Sequence, residues 1–192
     1  MNKIIQNHFT EIKKILKDDD EIIKKTNLIS KVIINKIKDK KKVFVCGNGG
    51  SFADASHFVG ELTATYASAS RRPLPFILLG SNLASVTAWS NDFNYEDYIK
   101  REFQALYSKG DILFILSTSG GNIKSKQSIN LIKLAMFAKE KNITIVSLLG
   151  NDGGKLKKLS NYSLVVNSKK TGSIQEVHKI IFHSLCETFE KI

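Results

Sequence analysis

The sequence predicts an α/β fold, a three-layer α/β/α sandwich whose central sheet has five parallel strands, preceded by N-terminal helices. Short apolar runs alternate with helical segments along most of the chain, as in strands joined by helical crossovers. Runs such as FILL and LFIL are apolar at every position, which is typical of strands covered by helices on both faces. A length of 192 residues suits one domain, residues 1–192, with its own core.

Two amphipathic helices are predicted first, over residues 2–17 and 21–38, within an N-terminal segment (1–40) expected to pack on the core or in an oligomer. Asp18, Asp19 and Asp20 lie between them and are expected to cap the second helix and to interact with its dipole. Strands are predicted at 42–47, 75–80, 111–117, 143–150 and 162–166, and a final helix at 173–191. Because ligands bind at the carboxyl ends of parallel strands, candidate sites are the loops at 47–51, 80–82, 117–122 and 150–154.

The composition restricts the class of partner. The net charge is +11, but the chain has few arginines and its lysines are spread along helix faces, so no nucleic-acid partner is expected. No stretch approaches the roughly 20 apolar residues that span a bilayer, and the N-terminus does not resemble a signal peptide. Cys46 and Cys186 lie in apolar segments far apart, which argues against disulfides. We therefore expect a protein of the cytoplasm with no membrane partner.

Two glycine-containing loops follow predicted strands. CGNGGS (46–51) leads into a helix, where backbone N–H groups can approach an anionic or polyhydroxyl ligand. It lacks the Lys-Ser/Thr ending of a P-loop and the spacing of a dinucleotide loop, so it is equally compatible with a tight structural turn. STSGGN (117–122) supplies three consecutive hydroxyls and two glycines, which suit a phosphate monoester; a helix cap with a flexible turn is the alternative.

Two predicted helices carry the candidate chemical groups. His57 and Glu61 are one turn apart, so they form a metal pair, an acid and base, or simply a solvated pair. The last helix carries Gln175 and His183, separated by about 12 Å of helical rise, so one metal could join them only through extended side chains or a second subunit. His178 is predicted to be a surface or subunit-contact residue, and Glu187 to face solvent or to orient His183.

Five segments occur in one order along the chain: CGNGGSFADASHFVGELT (46–63), SNDF (90–93), DILFILSTSG (111–120), LLGNDGG (148–154) and IQEVHKIIFHSLC (174–186). In that order they resemble the phosphoheptose isomerases, a branch of the sugar isomerase (SIS) family with a flavodoxin-like fold. The resemblance implies an enzyme that converts sedoheptulose 7-phosphate into D-glycero-D-manno-heptose 7-phosphate for surface polysaccharide. It also implies a cytoplasmic homotetramer with one zinc ion in each subunit.

The resemblance implies site residues position by position. The zinc ligands correspond to His57, Glu61, Gln175 and His183, and the groups that exchange protons to Glu61 and His183. The substrate contacts correspond to Asn48, Gly49, Gly50, Ser51, Glu61, Asn91, Asp92, Ser117, Thr118, Ser119, Ser128 (or Ser125) and Gln175. Carbonyl migration needs a base, an acid and stabilisation of an enediolate, which these groups supply. A zinc-bound Glu61 or His183 would carry protons poorly, so the two roles are not expected simultaneously.

The chain departs from the family pattern at three places. Thr65 stands where an arginine is common, Gly172-Ser173 stands where Asp-Arg or Ala-Arg is common, and GNIKSK (121–126) intervenes after STSG as a six-residue insertion. Isomerisation of another sugar phosphate therefore stays open as an alternative. A non-catalytic SIS protein that binds a partner, such as the bacterial replication initiator, is the other alternative. The presence of Glu61 and His183 favours the enzyme.

Overall fold

The structure is a computed structural model that describes residues 2–17 and 19–192. Five strands are present: β1 (Val43–Cys46), β2 (Phe76–Leu78), β3 (Ile112–Ser117), β4 (Thr144–Gly150) and β5 (Tyr162–Val166). The helices of the described ranges are α1 (Lys3–Lys17), α2 (Asp20–Lys38), α3 (Gly50–Thr63), α4 (Leu83–Asp92), α5 (Tyr98–Leu106), α6 (Ile129–Glu140), α7 (Gly154–Leu159) and α8 (Thr171–Phe189).

All five strands pair in parallel, in the order β2-β1-β3-β4-β5. The register places Val45 beside Phe114 of β3, and Phe114 beside Val146 of β4. The predicted α/β sandwich with five parallel strands is therefore confirmed. Chain order reverses between β1 and β3, and in sheets of this kind the crevice at such a switch point is where ligands bind.

Both faces of the sheet are buried, which explains why whole strands are apolar. Val45 and Phe114 point into a cluster that contains side chains of α2, α3 and α8. Phe44 and Leu113, their neighbours along the strands, point into the opposite cluster with side chains of α5 and α6. The core thus forms one layer on each face of the sheet. The carboxyl ends of β1 and β3 lie at the sheet edge between these two layers.

The element boundaries follow the predictions closely, with one error at the start of α2. Asp19 occupies the N-cap position but its side chain makes no capping hydrogen bond, because its backbone is already close to helical. The predicted side-chain cap is therefore wrong for Asp19, while Asp20 and Glu21 in the first turn retain the favourable interaction with the helix dipole. Asp18, the third residue of the predicted cap, lies outside the described residues.

Helix α1 lies on the surface; none of its side chains is fully buried, and Ile12, Ile15 and Leu16 pack half-buried against the core. Polar contacts connect it to α8 and to the segment just before α8: His8 pairs with Glu176 at 2.9 Å, and Glu11 with Lys170 at 3.0 Å. Its apolar side chains Ile4, Ile5 and Phe9 are exposed. In the described ranges, no helix combines the length and hydropathy that crossing a membrane would require.

Candidate active site

The glycine loop between β1 and α3 makes a turn that only glycine allows. Gly49 has a φ of 54°, in the left-handed region. A Cβ on Gly47 would lie 2.5 Å from the carbonyl oxygen of Ser51, so a side chain there would collide with the first turn of α3. The backbone therefore folds tightly, and the N–H groups of the first helical turn open toward the carboxyl edge of the sheet.

The side chain of Asn48, in this loop, is held by a second asparagine. Asn48 Nδ2 donates to Asn130 Oδ1 at 2.9 Å, and Asn130 Nδ2 donates to Asn48 Oδ1 at 2.8 Å. Tyr95 Oη lies 3.4 Å from the same Asn48 oxygen. Tyr98 also hydrogen-bonds to Asn130, and burial raises the pKa of its phenol. The sequence reasoning missed Asn130, although a polar residue inside the apolar start of α6 was a signal for it.

The loop after β3 uses two of its own hydroxyls to hold its shape. Ser117 Oγ accepts from the N–H of Gly120 and Ser119 Oγ from the N–H of Gly121, each at 3.2 Å. Ser117 is buried, while Thr118 and Ser119 are half-buried at the edge of the crevice. The loop thus contains the hydroxyl-stabilised turn that was the alternative to a phosphate site. The same hydroxyls can still donate hydrogen bonds to a bound anion.

Backbone contacts fix this loop against the one after β4. The carbonyl of Gly120 accepts from the N–H of Leu156 at 2.9 Å, and that of Gly121 from the N–H of Lys155 at 3.0 Å. A Cβ on Gly120 would lie 2.2 Å from Gly153 main-chain atoms, so the two loops approach within a distance that excludes side chains. Backbone contacts therefore position the loop's main chain, together with the Asn151 side chain, which donates to the carbonyl of Thr118 at 3.2 Å.

The inserted residues form a small hairpin at this loop. Asn122 and Gln127 pair in antiparallel fashion, with both backbone hydrogen bonds at 2.9 Å. Ser128 follows with a φ of 54° and is half-buried immediately before α6, whereas Ser125 is exposed at the hairpin tip. Of the two serines considered for substrate contact, Ser128 is thus the one beside the helix that carries Asn130.

Helices α3 and α8 bring three candidate groups together. His57 Nε2 donates to Glu61 Oε1 at 2.9 Å, and the rings of His57 and His183 are 5.1 Å apart. Gln175 lies over the glycine loop, since a Cβ on Gly50 would be 2.2 Å from its Nε2 atom. His57 is 45% exposed and Glu61 24%, so the pair is accessible to solvent. The spacing of His57 and Glu61 alone could not place His183 next to them.

These groups do not converge as a complete metal site. Among residues 2–17 and 19–192, no three His, Cys, Asp or Glu side chains form a group that could hold a metal ion. Glu61 instead interacts with His57. Any metal bound here would therefore need side chains to turn from the positions that they occupy.

His183 packs between two aromatic residues that the sequence reasoning did not single out. Tyr66 stacks on its ring with centroids 6.0 Å apart, and Phe182 meets it edge-on at 4.6 Å. Tyr66 Oη lies 3.5 Å from Glu187, and partial burial together with that carboxylate raises the pKa of Tyr66. Glu187 is exposed and its contact is with Tyr66, not with His183. No local sequence pattern indicates that Tyr66 contacts His183.

Arg71 supports the end of α3 that carries Glu61. Its guanidinium donates to the carbonyls of Glu61 at 2.8 Å and Leu62 at 3.0 Å, and pairs with Glu190 at 2.7 Å. The arginine is 7% exposed, and the bond to Arg71 lowers the pKa of Glu190. Carbonyls at the end of a helix otherwise lack partners, so this cation fixes the last turn of α3.

His178 is not the surface residue that was predicted. It is fully buried on the core face of α8, where Nε2 donates to the carbonyl of Leu149 at 3.2 Å and Nδ1 has no hydrogen-bond partner among the described residues. Burial lowers the pKa of His178 to about 4. The prediction was wrong because position 178 lies one turn from Ile174 and Ile181, on the face that packs on the sheet.

Asn91 and Asp92 end α4 and are both exposed. Asn91 Nδ2 donates to Asp92 Oδ1 at 2.9 Å, and in the described part of the chain neither side chain hydrogen-bonds to the glycine loop or to the loop after β3. The structure therefore does not join them to the other candidate residues. Tyr95, a few residues on, is the residue of this region that reaches Asn48.

The chain is similar to known proteins in both sequence and structure. Residues 7–150 match the family described as SIS domain. The chain is 38% identical over 183 residues to the phosphoheptose isomerase of Aliarcobacter butzleri, which covers 95% of this chain and 92% of that one. The phosphoheptose isomerase structure from Francisella tularensis matches with a TM-score of 0.91 and 27% identity over 100% of both chains. The one from Neisseria gonorrhoeae has a TM-score of 0.87 and 28% identity over 99% of this chain and 98% of that one. The chain therefore belongs to the SIS-domain family and, within it, to the phosphoheptose isomerases.

Proposed function

We propose that this protein is an aldose–ketose isomerase that converts D-sedoheptulose 7-phosphate into D-glycero-D-manno-heptose 7-phosphate through an enediolate. The relatives from Aliarcobacter butzleri and Francisella tularensis, which match nearly its whole length, are phosphoheptose isomerases. The observation that carries the proposal is the approach of α3 and α8, which places the rings of His57 and His183 5.1 Å apart and Glu61 2.9 Å from His57. A carboxylate and two imidazoles are thus brought together by two helices that both begin at the carboxyl edge of the sheet, where the glycine loop lies.

The reaction moves a carbonyl from C2 to C1. A proton leaves C1 and one is added to C2, while O1 loses its proton and O2 gains one. Glu61 is the proposed base, because its carboxylate is held by His57 at 2.9 Å and stays partly solvent-accessible. His183 is the proposed acid that protonates the oxygen, its ring held between Tyr66 and Phe182.

Substrate recognition is assigned to the two loops. The hydroxyls of Ser117, Thr118 and Ser119 are proposed to bind the phosphate, since the loop is already shaped by its own hydrogen bonds and lies at the crevice. The remaining contacts proposed are Asn48, Gly49, Gly50, Ser51, Asn91, Asp92, Ser128 and Gln175. Asn48 has the strongest support, because its amide is held in one orientation by Asn130.

Zinc is proposed as the cofactor, bound by His57, Glu61, Gln175 and His183. Two imidazoles and a carboxylate are donor types that zinc prefers, and the two rings already lie 5.1 Å apart. Zinc would act as a Lewis acid on the substrate carbonyl, and its binding would replace the hydrogen bond between His57 and Glu61. Titration calorimetry of the chelated protein with zinc tests this: His57→Ala should lose binding, whereas unchanged binding would exclude this site.

The protein is proposed to be a homotetramer in the cytoplasm. Its product is proposed to supply heptose for surface polysaccharide. The exposed apolar residues Ile4, Ile5 and Phe9 on α1 supply a face that a second copy would cover. Both cysteines are buried and free, as suits a reducing compartment. Light scattering of the purified protein, with Ile5→Lys as the variant, tests the assembly.

Solvent exchange during turnover tests the isomerase directly. Incubation with sedoheptulose 7-phosphate in deuterated water should give the aldose and should place deuterium at the carbon that exchanges its proton. Glu61→Gln should abolish both while substrate still binds, and Glu140→Gln, an exposed glutamate at the end of α6, should change neither. Absence of turnover across several ketose phosphates with zinc present would exclude an isomerase and favour a binding protein.

A further inference from the structure

A second concave surface meets the described residues assigned to isomerisation only at Ser119. It is a groove of about 1120 Å³ formed by the hairpin after β3 and by the loops that follow β4 and β5. Among the described residues, its lining includes none from the glycine loop, α3 or α8; Ser119 is the one hydroxyl that it shares with the loop after β3. The groove is large enough for a small organic ligand.

The groove is basic. Lys124, Lys155, Lys158 and Lys169 line it, and Asp152 is the one carboxylate among its lining residues. Within residues 2–17 and 19–192, no ion pair joins any of the four ammonium groups to a carboxylate, whereas Lys133 and Lys170 elsewhere are paired. Asp152 accepts from the N–H of Gly154 at 2.9 Å through Oδ1 and keeps its charge, so four cations face one anion in the lining. Unpaired cations around one cavity repel each other, and an anion bound among them removes that cost.

The uncharged residues of the lining indicate which kind of molecule bears the bound anionic group. Asn122, Gln127, Asn151 and Asn167 add side-chain amides that donate to and accept from hydroxyl groups. Ile123 is the large apolar residue of the lining, and the described lining contains no aromatic ring. A nucleotide base would find no ring to stack on, so the surface fits a polyhydroxylated ligand better than a nucleotide.

We infer that this groove is a second binding site, for a phosphorylated saccharide held through its phosphate by Lys124, Lys155 and their neighbours. It borders the proposed isomerase site at Ser119, and the inference does not depend on the isomerase activity. Lys124 comes from the inserted hairpin and Lys155 from the first turn of α7, where its N–H donates to the Gly121 carbonyl, so a backbone hydrogen bond connects the two walls of the groove. The site is thus held on a fixed framework, although its charges are on exposed or half-buried side chains.

Calorimetric titration with sorbitol 6-phosphate, which has no carbonyl to isomerise, tests the inference on the full-length protein. The wild type should bind two equivalents per chain, and one of them should weaken as the salt concentration rises. Lys124→Gln with Lys155→Gln should weaken that equivalent by about tenfold or more, because charge-assisted hydrogen bonds are lost. The matched control, Lys24→Gln with Lys31→Gln on exposed positions of α2, should bind as the wild type does.

Two outcomes would overturn the inference: a single equivalent in the wild type, or two unchanged equivalents in the Lys124/Lys155 variant. If that variant does not fold, judged by circular dichroism, Lys158→Gln with Lys169→Gln takes its place with the same expectation. Turnover of sedoheptulose 7-phosphate is measured separately on the same samples. Loss of the second equivalent with normal turnover supports the groove, and two equivalents without any turnover would refute only the proposed isomerase.

Discussion

Gly50 offers a sharp test of whether Gln175 acts in the site. An alanine Cβ at position 50 would lie 2.2 Å from Gln175 Nε2, whereas ordinary contacts are 3.4–4 Å. The amide must therefore retreat by roughly 1 Å. It is the end of a flexible side chain, so it can move at little cost to folding. Alanine itself is acceptable in the first turn of a helix, and the free energy of unfolding should change by less than about 1 kcal/mol.

Gly50→Ala is expected to lower catalytic activity rather than stability. Displacement of a positioning group by about 1 Å costs catalysis up to about 100-fold, and we expect kcat/KM to fall by about 10- to 100-fold. Gly60→Ala is the matched control in the same helix, because a Cβ there meets nothing within 4 Å. It should leave kcat/KM unchanged and stabilise α3 by about 0.5–1 kcal/mol, which corresponds to a rise in Tm of about 1–4 °C.

Steady-state kinetics and thermal melts on four proteins test whether Gly50→Ala acts through Gln175. The four proteins are the wild type, Gly50→Ala, Gln175→Ala and the double variant. If Gly50→Ala acts through Gln175, its effect should disappear when Gln175 is already alanine. Wild-type kcat/KM in a normally folded Gly50→Ala protein would refute the reasoning. Fully additive losses in the double variant would refute it too, because Gly50 would then act by another route.

Asn130→Leu should lower kcat/KM about tenfold by freeing the Asn48 amide, which Asn130 holds at 2.9 and 2.8 Å; unchanged kinetics would show that the amide pair is only structural. Asp111→Ala should destabilise the fold by about 2–3 kcal/mol in urea titrations, because this buried carboxylate accepts from Lys42 N, Lys42 Nζ and Ser108 N; a midpoint equal to that of the wild type contradicts this. His178 has a pKa of about 4 in the fold against 6.5 for the free side chain, so the unfolded chain binds more protons between these values. Stability should thus fall as the pH is lowered from about 6.5 to about 4, by roughly 3 kcal/mol. His178→Gln should reduce that slope in unfolding experiments at several pH values, and equal slopes would contradict the assignment.

The fold could be predicted because its signals are local. Strands buried on both faces, such as Ile112–Ser117, are apolar at every position, and this pattern needs no knowledge of distant residues. The pairing of His57 with Glu61 was likewise readable from helical spacing. The two loops were found because glycines and hydroxyls follow strands, where parallel sheets bind ligands.

The rest depends on contacts between distant segments. Asn130 meets Asn48 and Tyr66 stacks on His183 only after helices and loops have packed, and neither pair has a sequence spacing that could reveal it. His178 was misjudged from its residue type, although its helical position was that of a core residue. His183 was joined to His57 by family resemblance alone, because no periodicity connects α3 with α8.

The glycine contacts between the loops after β3 and β4 bear on how this protein can change over evolution. Gly120 and Gly153 touch through main-chain atoms, and Gly120 and Gly121 accept hydrogen bonds from Leu156 and Lys155 through atoms that every amino acid has. Side chains that make no hydrogen bond to this backbone can therefore be exchanged without moving it, whereas Ser117, Ser119 and Asn151 also hold it. A lineage could retune which sugar phosphate is accepted by replacing surface groups one at a time, while the glycines themselves stay irreplaceable.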